Sequence, residues 1–165
     1  MAPFLEAMHQ MLLCEAPEDG GISLPSRLNR EKLNFSFFSL HAIDQYLIAV
    51  HDNEQHVSGH SLLNTMWATS MYVGETIRRE VPGRQFEWVT IGETLWAHGE
   101  TTQSCPDIGA VRALRPRRGE MIMPNRAVLR IILRGRKAQT IHSFVGAVGL
   151  SESAPKAAGA PRSKP

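Results

Sequence analysis

Three groups of residues in this chain have the types and spacings that chemistry requires. The first is His51, His56 and His60, in the pattern H-x4-H-x3-H. Two imidazoles four apart on a helix face can hold a metal, and a third can complete a three-ligand zinc site. Against this, Ser58 and Gly59 interrupt a helix through the group, and no HEXXH sequence is present. Asp52 and Glu54 could instead hold these histidines in weak surface ion pairs along a solvated connector.

The second group is Glu75, Arg78 and Arg79. At i, i+3 and i, i+4 on a helix, one carboxylate can meet either guanidinium. Gly74 stands beside them inside a helical pattern, where glycine costs about 1 kcal/mol against alanine. A close approach by another backbone or side chain would account for it. With Tyr72 and Trp88, these residues could form a polar binding edge. The competing reading is a helix–helix crossing at Gly74 with a structural ion pair.

The third group is a basic run. Arg112, Arg115, Arg117, Arg118, Arg126, Arg130, Arg134, Arg136 and Lys137 are interrupted by only one acid, Glu120. Arg126, Arg130, Arg134 and Lys137 fall on one face if their segment is helical. Such a stripe suits a phosphate backbone, and Arg117, Arg118, Arg126, Arg130 and Arg134 are the candidate nucleic-acid contacts. No aromatic residues interleave to stack bases. An acidic protein fits equally well, as does the chain's own acidic part: residues 1–111 hold six Lys and Arg against fourteen Asp and Glu, a net of −8, and residues 112–165 hold twelve against two, a net of +10.

Other chemistries have little support. There is no G-x-S-x-G, phosphate loop or G-x-G-x-x-G. Cys14 and Cys105 have no neighbouring base and no metal or redox spacing. His142, alone on an apolar segment, reads as a packing residue. No cofactor is expected.

The elements that must position these groups follow from periodicity. At 165 residues and 42% hydrophobic, the chain is expected to fold as one domain over 1–150. Residues 62–79 form the central amphipathic helix, with Leu62, Met66, Thr69, Val73 and Ile77 on one face and Leu63, Trp67 and Ser70 widening it. A helix from Phe37 to His51 precedes it, with Leu40, Ile43, Leu47 and Val50 inward, Asp44 and Tyr46 on the flank, and Ser36 or Asn34 at its cap. The two should form a helical hairpin. Residues 3–14 read as a short helix.

After Arg79 the pattern changes. Residues 85–91 alternate as a strand, with Phe86 and Trp88 on one face and Val89 and Ile91 on the other. Gly92-Glu93 is a candidate type II′ turn into a returning strand at 94–98. Residues 115–119 read as a basic turn and 120–123 as a third strand. Pro124 to Leu133 reads as a helix burying Val128, Ile131 and Ile132 and stopped by Gly135, and 140–150 as a last helix. Residues 151–165, without a large apolar side chain, are expected to be a disordered tail. The expected fold is therefore α+β: an antiparallel helical pair packed on a small antiparallel sheet, with one or two C-terminal helices. No segment reaches the roughly 20 apolar residues of a membrane span, and the N-terminus does not read as a secretory signal, so a cytoplasmic location without membrane contact is expected.

Ser39, Leu40, Ile43, Asp44, Tyr46 and Leu47 (S-L-x-x-I-D-x-Y-L), the run Y-V-G-E-x-I-R-R from Tyr72 to Arg79 and the strand bearing Trp88 together resemble a diffuse group of small uncharacterised bacterial proteins. The resemblance spans about residues 33–148. It implies a helical pair followed by a short sheet, and a late helix through Pro124, Val128 and Gly135. It implies no catalytic activity, and by association points to accessory or immunity-like binding proteins. The expected function is a non-catalytic, cytoplasmic protein-binding module. Its specific instance is an immunity protein that neutralises a toxin by occlusion, with Tyr72, Glu75, Arg78, Arg79 and Trp88 at the contact. The alternatives are nucleic-acid binding through the basic segment 112–137 and a small metal-dependent enzyme using His51, His56 and His60.

Overall fold

The fold, taken from a computed structural model, is described for Gln10, Leu12 and residues 21–81, 85–90, 112–117 and 120–150. Apart from Gln10 and Leu12, which are helical, the helix expected at 3–14 lies outside the described residues, as do the turn and returning strand at 92–98, both cysteines, Arg118 and the tail at 151–165.

The chain is α+β. A 3-10 turn, Phe37–Ser39, opens with Ser36 accepting the Ser39 N–H and leads into helix α1, Leu40–Asp52. A second 3-10 turn, Glu54–His56, joins it to α2, Gly59–Glu80. Ser58 caps α2 by accepting the Ser61 N–H, satisfying one of the donors a helix start leaves free. Strand β1, Phe86–Thr90, pairs antiparallel with β2, Arg112–Pro116, in the register Trp88 opposite Leu114. Helices α3, Pro124–Arg134, and α4, Ile141–Leu150, complete the described fold.

From Ala68 to Ile77, α2 is buried on every side. Polar residues survive there because their hydroxyls turn back on the helix: Thr65, Thr69, Ser70 and Thr76 each donate to the carbonyl four residues earlier. Leu63, expected to widen the apolar face, is exposed, and the burial runs through Thr65 instead. The closest backbone packing of α1 and α2 is against α3 rather than against each other. Side chains join α1 to α2: the Tyr46 and Thr65 hydroxyls lie 3.4 Å apart, and those of Ser39 and Tyr72 2.7 Å.

The expected inward face of α1 is fully buried. Asp44 and Tyr46, expected on the flank, are buried as well. Tyr46 is covered by the segment around Ile22: its hydroxyl donates to the Ser23 carbonyl, and Thr65 accepts the Ser23 N–H at 2.7 Å. Burial pushes the Tyr46 hydroxyl up to about 12, against the smaller opposing effects of Thr65 and Arg30.

Asp44 is buried because it caps another helix. Its carboxylate accepts the Ile141 N–H at 2.6 Å and the His142 N–H at 3.2 Å, fixing the start of α4 against α1. Burial raises its pKa above the ordinary carboxylate range, although both backbone bonds and the nearby His41 and His142 pull it down. Asp44→Ala would leave two helix-start N–H groups without their acceptor. It is expected to destabilise the protein by about 2 kcal/mol, with α4 amides losing exchange protection first. Wild-type protection of Val145 in this variant would show that the carboxylate does not hold α4.

The sheet differs from expectation in its partner strand. Arg115 and Pro116, read as part of a turn, are paired with Glu87 and Phe86 in β2. The 120–123 segment adds only a single antiparallel bridge, Ile122 to Leu114. One sheet face (Phe86, Trp88, Leu114) joins the main core. The other (Val89, Ala113) is covered by Met121 and Met123.

Candidate binding groove

The end of α2 holds the first set of expected contact residues, and it is built as a clasp. Glu75 Oε2 accepts Arg78 Nε at 2.9 Å and Glu75 Oε1 accepts Arg79 Nε at 2.9 Å. Burial pushes the Glu75 carboxyl up, but both guanidiniums outweigh it and hold the pKa below the ordinary range. Arg79 lies 4.0 Å over the ring of Phe35, which stacks on Tyr72 at 4.6 Å. The Tyr72 hydroxyl accepts the Phe35 N–H at 2.9 Å, and Glu80 accepts the Phe37 N–H. Phe35 has φ 59°, a strained value for an aromatic residue, and these contacts hold it there.

The expected binding edge is therefore mostly interior. Tyr72 and Trp88 are buried, and only the outer parts of Arg78 and Arg79 reach solvent. The close approach expected at Gly74 is present, and its nearest source is the Trp88 indole: a β-carbon on Gly74 would lie 2.2 Å from Trp88 Cη2, with Pro124 Cγ at the start of α3 at 3.3 Å.

The three histidines do not converge. Among the described residues no three His, Cys, Asp or Glu side chains are placed to share a metal. His51 Nδ1 donates to the Ile132 carbonyl at 2.8 Å, bonding the last turn of α3. His56 and His60 stand exposed on the connector and the first turn of α2. The three imidazoles therefore do not form one ligand set among the described residues.

The basic segment is split by the fold. Arg112 donates to Thr90 and Arg115 pairs with Glu87 across the sheet, an exposed bridge of little weight. Arg117 is exposed at the end of β2. Arg126, Arg130 and Arg134 form an exposed row along α3, and among the described residues none has an ion-pair partner. Pro124 starts this helix in the first turn and Gly135 ends it at φ 54°.

Between α3, α4 and the 120–123 segment runs a groove of about 530 Å³. Its floor is Met121, Ile122, Met123, Ala127, Phe144 and Val148, and its rim carries Arg126, Arg130, Gln139 and Glu120. Ile141, Phe144, Val145 and Val148 recur at helical spacing along α4. Only Ile141 and Val145 are buried, and the other pair faces the groove at intermediate exposure. The available signal was an apolar arc on α4 wider than one neighbour covers, together with two methionines flanking Ile122. The described lining holds no histidine, cysteine, serine or threonine, and Glu120 is its one acidic side chain. An apolar floor beside guanidiniums that have no ion-pair partner among the described residues suits an amphipathic anionic surface.

Comparison with protein-family models, with curated proteins and with solved structures gives no match. No helix among the described residues is long and apolar enough to cross a membrane.

Proposed function

We propose that this chain is a non-catalytic binding protein whose partner is an acidic protein segment held in the α3–α4 groove. The observation that carries this reading is the apolar floor edged by Arg126 and Arg130, with no ion-pair partner for either among the described residues. Desolvated apolar contacts supply affinity at such a surface, and charge supplies orientation and on-rate. The contact thus moves from the end of α2, where Tyr72 and Trp88 are interior, to the C-terminal helices. A cytoplasmic bacterial immunity protein occluding a toxin is the specific case to which the sequence resemblance points.

Nucleic acid is the second reading, favoured by the row Arg126, Arg130, Arg134. Leu129 and Leu133 stand exposed beside that row, and aliphatic side chains offer bases no stacking platform. The test is a pull-down from the native host with wild type and with the R126E/R130E double variant, each with and without nuclease. The expected result is one protein retained at one-to-one ratio, indifferent to nuclease and reduced at least about tenfold by the double variant. Retention that disappears with nuclease would replace this reading with the nucleic-acid one.

A further inference from the structure

Resting on the proposed reading of the same groove, we infer that the occupant is an amphipathic α-helix of a partner protein, carrying carboxylates four residues apart along one flank. The argument starts from the rim. Arg126, Arg130 and Arg134 recur every four residues on α3, so their Cα atoms rise in steps of about 6 Å. A helix lying beside α3 with acids at the same interval repeats that step and meets each guanidinium in turn. The cations stand on one rim only. The rest of the rim has Gln139 and Glu120, so a helix with acids on both flanks would set one flank beside Glu120.

The walls argue against an extended peptide. Helices α3 and α4 have their backbone groups paired within themselves, and Ile122 spends both its N–H and its carbonyl on Leu114. A strand seated along α3 and α4 would desolvate its own backbone groups against side chains of helices whose backbone is already bonded. A helix arrives with those groups already bonded. The floor suits helical side chains of differing size, because the thioethers of Met121 and Met123 adapt to what packs on them.

The experiment uses the full chain and two synthetic peptides of about 20 residues with identical composition. One has leucines at i, i+3, i+4 and i+7 and glutamates four apart on one flank. The other has the same residues in an order without a helical face. Fluorescence anisotropy is measured against wild type, R126E/R130E and V148D, with folding of each variant checked by far-UV circular dichroism. The expected result is at least tenfold tighter binding of the patterned peptide, gain of helicity on binding, and at least tenfold weakening in either variant. Equal binding of both peptides would overturn the helical occupant while leaving an acidic partner in place. Failure of both peptides, with host-partner capture unchanged in R126E/R130E, would overturn the groove reading as well. Preference for anionic lipid vesicles or polyuridylate over the patterned peptide would overturn the protein helix as occupant.

Discussion

Gly135→Ala is expected to destabilise the protein by about 3 kcal/mol, from two sources acting together. Gly135 closes α3 at φ 54° and ψ −134°, a conformation in which a side-chain-bearing residue is strained. A β-carbon there would also lie 2.2 Å from His51 Cδ2 and 2.7 Å from Nε2. The imidazole cannot swing aside freely, because Nδ1 holds the Ile132 carbonyl at 2.8 Å. The backbone term and the steric term can be separated. In a His51→Ala background the clash is gone and the strain remains, so adding Gly135→Ala should cost less than in wild type but still more than 1 kcal/mol. Urea unfolding of the four proteins measures this. A loss below about 0.5 kcal/mol in the single variant would mean that the chain relaxes into another helix ending.

Gly74→Ala is the second large effect, and here two principles oppose each other. Helix propensity favours alanine by about 1 kcal/mol. The Trp88 indole opposes it, with Cη2 and Cζ2 at 2.2 and 2.4 Å from the new β-carbon and Pro124 Cγ at 3.3 Å. Trp88 is 6% exposed, so a rigid ring inside the core must shift, along with the β1 backbone that carries it. Overpacking of this kind costs about 1–3 kcal/mol, and contact this close belongs at the upper end. The net expectation is a loss of about 2 kcal/mol. Trp88→Phe withdraws the outer ring, and in that background Gly74→Ala should become neutral or stabilising. A sign reversal in the double-mutant cycle is the signature to look for. The same loss in both backgrounds would show that the tryptophan does not dictate the glycine.

Both predictions concern the packing that holds the groove. Gly135 ends α3, whose arginines form the rim, and Gly74 lets the sheet seat against α2 so that its other face can carry Met121 and Met123. Substitutions at Arg126 or Arg130 are expected to leave stability nearly unchanged, because exposed side chains with no ion-pair partner among the described residues contribute little to the fold. The contrast separates loss of binding from loss of folding.

Helices were legible in the sequence because their bonds are local. The spacing Leu40, Ile43, Leu47, Val50 marked α1, and Val128, Ile131, Ile132 with Gly135 marked α3 and its end. Each needs only a few turns of chain to declare its inward face. Strand β1 was legible by alternation, but its described partner was not. Pairing Trp88 with Leu114 joins residues far apart in the chain, and Arg115-Pro116 carries turn-forming composition.

The chemistry followed the same division. Local spacing was enough for α1 to α4, for the charge separation between the two parts of the chain and for the Glu75–Arg78–Arg79 ion pairs, since those partners lie within about one helical turn. Tertiary structure alone decided that Asp44 caps α4, that Tyr72 and Trp88 are interior, and that His51 bonds α3 while His56 and His60 stand apart from it. It also decided that Phe144 and Val148 meet Met121, Met123 and the α3 arginines in one groove. The physical reason is that periodicity shows which side of an element is apolar, whereas only the packed neighbours determine how much of that side is covered.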